Sequence, residues 1–224
     1  VTAGWTLRMP VLRVVAYAGL IMKVTVAKSA GFCWGVKRAV DKARSLAVRA
    51  DFPIFSDGPL IHNRQMTHEL GRMGVKEVTD PRTLTSGTLL LRAHGIPPSR
   101  RSMLEKLPLK LVDATCPDVA RIQKVIEQHA LKGFHILIFG DPGHAEVIGL
   151  LGYASGHGHV IVTPQDVSRL PDMDPVCMVS QSTQFPADYS AVADCVKKRF
   201  PDAVVLDTIC KSTRNRQREI LDLA

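Results

Sequence analysis

Three cysteines stand in one local setting. The stretch Lys110 to Val125 reads KLVDATCPDVARIQKV: an apolar run closes on Asp113-Ala114-Thr115, Cys116 follows, and Pro117 opens an amphipathic helix. The order strand, cysteine, helix start recurs around Cys33 (KVTVAKSAGFC leading into WGVKRAV) and around Cys210 (AVVLDTIC leading into KSTRNRQREI). Cys33 and Cys116 are 83 residues apart, and Cys116 and Cys210 are 94 apart, so the spacing implies three similar units that each deliver one thiol. A cysteine at a helix N-terminus lies at the positive end of the dipole, which favours thiolate, and three thiolates can hold a soft metal centre. Structural zinc wants a fourth protein ligand and usually closely spaced cysteine pairs, yet the chain has no CxxC. An iron–sulfur cube normally takes four cysteines; with three, one iron keeps an open position for substrate. The alternative is that these are small buried residues at strand ends, the reading given to Cys177 in PVCMV and Cys195 in AVADCVKK.

Three of the eight histidines share the placement just after a strand: His62 in LIHN, His94 in RAHG and His144 in GHAEV. Beside Asn or Gly at strand ends, such side chains can donate to phosphate oxygens together with helix N-terminal amides. In a chain of formal charge +8 they point to an anion pocket. His68, His129, His135, His157 and His159 fall within predicted helices or strands or beside a glycine turn, and read as ordinary polar residues. Glu146 lies near a predicted helix start, where a carboxyl can pass a proton to a leaving group. The plainer reading is a helix-terminal charge stabilising by about 0.3–1 kcal/mol. Gln181-Ser182-Thr183 ends another strand and offers two hydroxyls.

The elements that position these residues alternate from Met22 onward. Apolar patterning predicts strands at 23–28, around Ile54-Phe55, and at 75–78, 88–93, 110–114, 135–139, 159–163, 176–180 and 203–207. Between them it predicts helices over 35–49, 64–73, after Pro97-Pro98, after Cys116, over 145–153, after Thr163-Pro164 and over 187–199. Such alternation gives an α/β fold of parallel sheets with helical crossovers, in which functional groups gather beyond the carboxyl ends of strands.

With 46% of its 224 residues hydrophobic, the chain can fill two compact domains. Its charge favours an anionic partner, but nucleic acid is disfavoured because the basic residues are scattered over predicted helices without interleaved aromatics. Five cysteines without close pairing argue against a secreted disulfide framework and for a reducing, cytoplasmic setting. No apolar run reaches the roughly 18 residues of a membrane span. Residues 1–21 read as a leader or as sequence translated from upstream of a start at Met22.

GFCWGV at 31–36, LIHN at 60–63, AHG at 93–95, DATCP at 113–117, GHAEV at 143–147, QST at 181–183 and DTIC with TRNRQ at 207–217 occur in the order seen in one family. The chain resembles the 4-hydroxy-3-methylbut-2-enyl diphosphate reductases over residues 22–224. The resemblance implies three α/β lobes around a central [4Fe-4S] cluster held by Cys33, Cys116 and Cys210, with one iron open to the substrate hydroxyl. It implies diphosphate binding by His62, His94 and His144, a proton-donating Glu146, and active-site hydroxyls on Ser182 and Thr213. The reaction would be a two-electron reductive dehydroxylation yielding isopentenyl and dimethylallyl diphosphates, with acidic ferredoxin or flavodoxin as donor. The implied layout is an N-terminal strand of the third lobe at 22–33, a first lobe at 34–115, a second at 116–209, and the start of a third at 210–224. Only 14 residues follow Cys210, so the third lobe would be incomplete and would lack the family's Ser-x-Asn pair and later serine. The corresponding alternative is a truncated, non-catalytic cluster-binding or electron-carrying relative.

Overall fold

The computed structural model describes residues 24–49 and 53–224. Eight strands and eight α-helices follow in chain order: α1 (Trp34–Arg49), β1 (Ile54–Asp57), α2 (Arg64–Arg72), β2 (Val75–Val78), β3 (Thr88–Leu91), α3 (Pro98–Leu104), β4 (Lys110–Asp113) and α4 (Pro117–Ala130). Then come β5 (His135–Phe139), α5 (Ala145–Leu151), β6 (Gly158–Ile161), α6 (Pro164–Ser168), β7 (Val176–Ser180), α7 (Pro186–Arg199), β8 (Val204–Val205) and α8 (Lys211–Leu223). Proline opens α3, α4, α6 and α7, at a first turn whose N–H has no partner in the helix anyway. The Asn63 side chain caps α2 by accepting the Met66 N–H at 2.8 Å.

The strands form two sheets, ordered β2-β1-β3-β4 and β6-β5-β7-β8, and every pairing is parallel. The two orders are the same: second, first, third, fourth strand of each set. Central strands covered on both faces must be apolar throughout, and β3 (TLLL) and β7 (VCMVS) are buried along their length. In the first sheet Leu90 packs toward Ala39, Val40 and Leu70, whereas Leu89 and Leu91 pack toward Ile96 and Leu104. In the second, Ile136 and Ile138 face Ile122, Ile126 and Leu150, whereas Leu137 and Phe139 face Val167, Val192 and Val196. The halves meet where a one-turn 3₁₀ helix at Gly152–Ala154 lies on the loop before α3. A side chain at Gly152 would overlap Pro97.

Two expected strands change. Residues 24–28, the described part of the strand expected at 23–28, form none; Val24 and Val26 are 49% and 59% exposed. A strand exists only through its ladder, and no described strand borders this segment. The strand expected at 203–207 shrinks to Val204–Val205. Beyond it the Thr208 hydroxyl takes over the ladder, accepting the Ser180 N–H at 2.8 Å and donating to the Ser180 carbonyl at 2.6 Å. Smaller trims end β3 at Leu91 and α5 at Leu151. The helix α8 buries none of its residues, and Ile220, Leu221 and Leu223 are exposed. The segment expected to be a leader, 1–21, lies outside the described residues.

Asp57, at the end of β1, is 3% exposed and is gripped by Arg100 of α3 through Nε at 3.0 Å and a second N–H at 2.5 Å. Removing one partner of a buried pair strands the other charge. Arg100→Ala is expected to cost roughly 3 kcal/mol, read as a lowered urea midpoint at unchanged slope.

Candidate active site

In each sheet the strand order reverses beside the first strand, between β1 and β3 and between β5 and β7. Chain connections leave such a switch point in opposite directions and open a crevice at the carboxyl ends of the strands. His62 follows β1, His94 follows β3, His144 follows β5 and Ser182 follows β7. Cys116 and Cys210 follow the outer strands β4 and β8. Equivalent corners of the two sheets therefore supply equivalent positions.

The cysteine corners are built alike. The Asp113 carboxylate accepts the Thr115 N–H at 2.8 Å, and Asp207 accepts that of Ile209 at 3.2 Å. Each aspartate turns the chain tightly and pairs with an arginine, Arg101 or Arg214. The Cys116 N–H donates to the Ala93 carbonyl and the Cys210 N–H to the Ser182 carbonyl, both at 2.9 Å. Cys116 occupies the N-cap position of α4, and the Cys210 sulfur caps α8 by accepting the Thr213 N–H. The helix α1 docks on the first corner: Arg38 donates to the Thr115 carbonyl at 3.0 Å and Lys42 to that of Asp113 at 2.6 Å. Gly35 sits against the Cys116 sulfur, where a Cβ would overlap it. This contact lays the start of α1, directly after Cys33, beside Cys116. Thr213 belongs to the cysteine side: its N–H reaches the Cys210 Sγ at 3.3 Å and its hydroxyl lies 3.1 Å from it.

The expected thiolate does not follow from the helix dipole alone. Burial pushes the Cys116 thiol up, outweighing the helix-terminal N–H groups of Asp118 and Val119 that favour thiolate, and the neighbouring Cys33 adds to the rise. Metal coordination would reverse this balance, since a ligating thiol is deprotonated outright. Cys33, Cys116 and Cys210 offer three free thiols at strand-to-helix corners, although as they stand no three His, Cys, Asp or Glu side chains among the described residues close on one ion. All five cysteines are free of disulfides, and Cys177, inside β7, is pushed up to about 12 by burial. The glycine at position 35 leaves room beside the Cys116 sulfur.

Across the crevice the three strand-end histidines converge. Ring centroids of His62 and His94 are 4.1 Å apart, those of His62 and His144 5.4 Å, and those of His94 and His144 5.9 Å. Burial, helped by His62, His144 and Arg92, lowers His94 to about 3, and burial and His62 lower His144. The His94 Nδ1 is buried without a hydrogen-bond partner, an imidazole nitrogen that a further group has to satisfy. The His144 Nδ1 accepts the Glu146 N–H at 3.1 Å and so caps α5, which fixes the tautomer with its proton on Nε2.

Glu146 is 2% exposed. Its two carboxylate oxygens accept the Ser182 N–H and hydroxyl, each at 2.7 Å. Burial raises its pKa against those two bonds, which favour the charged form. The pair joins the first turn of α5 to the loop after β7.

Two residues of the crevice escaped the sequence reading. Arg92 brings a guanidinium near His94, donating from Nε to the Gly95 carbonyl at 3.3 Å. Gln123 breaks the apolar stripe of α4 between Ile122 and Ile126; it is buried, and its Nε2 has no partner. That interruption was the available signal. A carboxyl raised in the fold makes stability fall as pH rises through its folded value, because the unfolded chain ionises first. Glu146→Gln is therefore expected to flatten the decline in urea midpoint between acid and neutral pH, while leaving the midpoint at acid pH little changed.

The family model for the LytB protein matches residues 24–224. The 4-hydroxy-3-methylbut-2-enyl diphosphate reductase of Opitutus terrae is 44% identical over 214 residues, covering 91% of this chain and 74% of that protein. The reductase of the same name from Alkaliphilus oremlandii is 38% identical over 204 residues, covering 91% and 73%. Among solved structures, the E-1-hydroxy-2-methyl-but-2-enyl-4-diphosphate reductase of Plasmodium falciparum superposes with a TM-score of 0.80 at 28% identity, over 84% of this chain and 61% of that one. A second, described as the (E)-4-hydroxy-3-methyl-but-2-enyl diphosphate reductase that ends the non-mevalonate pathway, gives 0.77 at 33% identity, over 89% and 72%. With its cysteine corners and histidine crevice carried on this fold, the chain belongs to the LytB family.

Proposed function

We propose that the chain is an oxidoreductase that converts 4-hydroxy-3-methylbut-2-enyl diphosphate to isopentenyl and dimethylallyl diphosphates, taking up two electrons and two protons and releasing water. The observation that carries this reading is the convergence of three histidines from both sheets on one crevice that also holds a buried, proton-retaining Glu146. Cys33, Cys116 and Cys210 would hold a [4Fe-4S] cluster, which when bound supplies a Lewis acid for the substrate hydroxyl and a relay for electrons.

The protein's own residues bind, orient and protonate. His62, His94 and His144 offer N–H donors to the diphosphate, and the unpartnered His94 Nδ1 has a hydrogen-bonding position to fill. The bound anion favours imidazolium, opposing the burial that keeps His94 and His144 neutral. Anchoring the diphosphate fixes the allylic end, which turns binding energy into orientation. Loss of hydroxide needs an acid, and burial keeps the proton on Glu146 at pH values where an exposed glutamate has lost it. The Ser182 hydroxyl orients that carboxyl, and Thr213 orients Cys210. The formal charge of +8 suits an acidic electron donor such as ferredoxin or flavodoxin.

Anaerobic reconstitution with iron and sulfide, followed by substrate and a reductant, is expected to show substrate-dependent oxidation of the reductant. A reconstituted protein that holds iron but neither turns over nor binds the diphosphate would support the electron-carrier reading instead. Cys116→Ser is expected to abolish iron and acid-labile sulfide binding. Gly35→Ala, which drives a methyl into the Cys116 sulfur, is expected to lower both contents while circular dichroism stays that of the parent.

A further inference from the structure

The opposite end of the second sheet carries a second group of histidines. Register pairs Ile136 with Gly158 and Leu137 with His159, so His135 faces His157 across the pair β5–β6. Side chains alternate along a strand, which puts His135, His157 and His159 on the sheet face that also carries Leu137 and Ile161. The His135 ring centroid is 5.3 Å from that of His157 and 6.2 Å from that of His159.

We propose that His135, His157 and His159 bind a divalent transition metal of the zinc class. His157, just before β6, and His159 within it flank His135 of the neighbouring strand; three imidazoles so grouped, with a fourth position left for water, make a donor set suited to zinc. Two imidazoles sharing a tetrahedral zinc at the usual Zn–N length have centroids about 5 Å apart, close to the His135–His157 separation. With the rings turned as they are, no three His, Cys, Asp or Glu side chains among the described residues close on one ion. Closure needs the His159 ring to move toward His135 by about 1 Å, and His157 is exposed and free to turn. The His135 Nδ1 is buried without a hydrogen-bond partner, a nitrogen that a metal would satisfy. Imidazole donors select zinc, copper or nickel over magnesium or calcium.

The site is independent of the crevice, since a five-residue strand separates the two ends of β5 by roughly 16 Å. The edge strand β6 pairs only with β5, and a metal here would staple the two together.

Titrating Co²⁺ into the full chain tests this, because thiolate ligation adds an intense sulfur-to-cobalt band that a nitrogen site lacks. One equivalent is expected to bind without that band. His157→Gln and His159→Gln should each weaken this equivalent by about tenfold or more, and His62→Gln should leave it unchanged. Zn²⁺ should raise the thermal midpoint of the parent more than that of His157→Gln. The proposal is overturned if all bound Co²⁺ shows the thiolate band, or if His157→Gln and His159→Gln bind as the parent does.

Discussion

Because every strand pairing is parallel, each strand must hand the chain to a crossover before the next strand begins, and all the hand-overs in a sheet lie along one rim. That constraint puts a turn and the N-terminus of a helix after nearly every strand. The turns supply side chains, and the helix starts supply unpaired N–H groups. In both sheets the order second, first, third, fourth places the reversal at the same point. His62 and His144 therefore leave the first strands of their sheets, and Cys116 and Cys210 leave the fourth. The third strands break the correspondence, with His94 in one sheet and Ser182 in the other. At that difference the surroundings divide: His94 lies beside His62 and His144, while Ser182 holds the carboxyl of Glu146.

The crevice is unusual in keeping titratable groups uncharged. Burial dominates the shifts of His94, His144, Cys116 and Glu146, and in each case it favours the neutral form. A neutral lining lowers the cost of closing the protein around itself. It also leaves a low-dielectric surface on which an anionic ligand or a metal acts strongly, because field strength grows as dielectric falls. The hydrogen bonds that remain are local and directional, such as His144 to the Glu146 amide and Ser182 to the Glu146 carboxylate.

Much of this arrangement was legible from the chain. Runs such as HILIF and PVCMVS gave strands where they are found, and the strand-end position of His62, His94 and His144 foretold a common edge. Their convergence did not follow from pattern alone, since it depends on how Gly152 lets the halves meet at Pro97. The strand expected at 23–28 failed because alternating valines describe a strand only when a neighbouring ladder exists. The segment at 203–207 failed because the Thr208 hydroxyl replaced a backbone partner. Gln123 and Arg92 stayed hidden because a polar residue on a helix or at a strand end is usually solvated, and only packing shows otherwise. His135 and His157 were passed over for a related reason: cross-strand register, not sequence spacing, brings them together.

Each sheet is drawn from one uninterrupted stretch of chain, residues 54–113 for the first and 135–205 for the second, with no strand exchanged. Either core can close before the other exists, but the histidine cluster takes His62 and His94 from one half and His144 from the other. A solvated imidazole titrates at about 6.5. Burial between the halves drops His94 to about 3, so assembly at a pH between that value and the ordinary one releases a proton. Through His94, acid in that range works against the joint between the halves. The crevice is thus a seam whose buried histidines favour assembly near neutral pH and oppose it in acid, while the buried Glu146 pulls the other way.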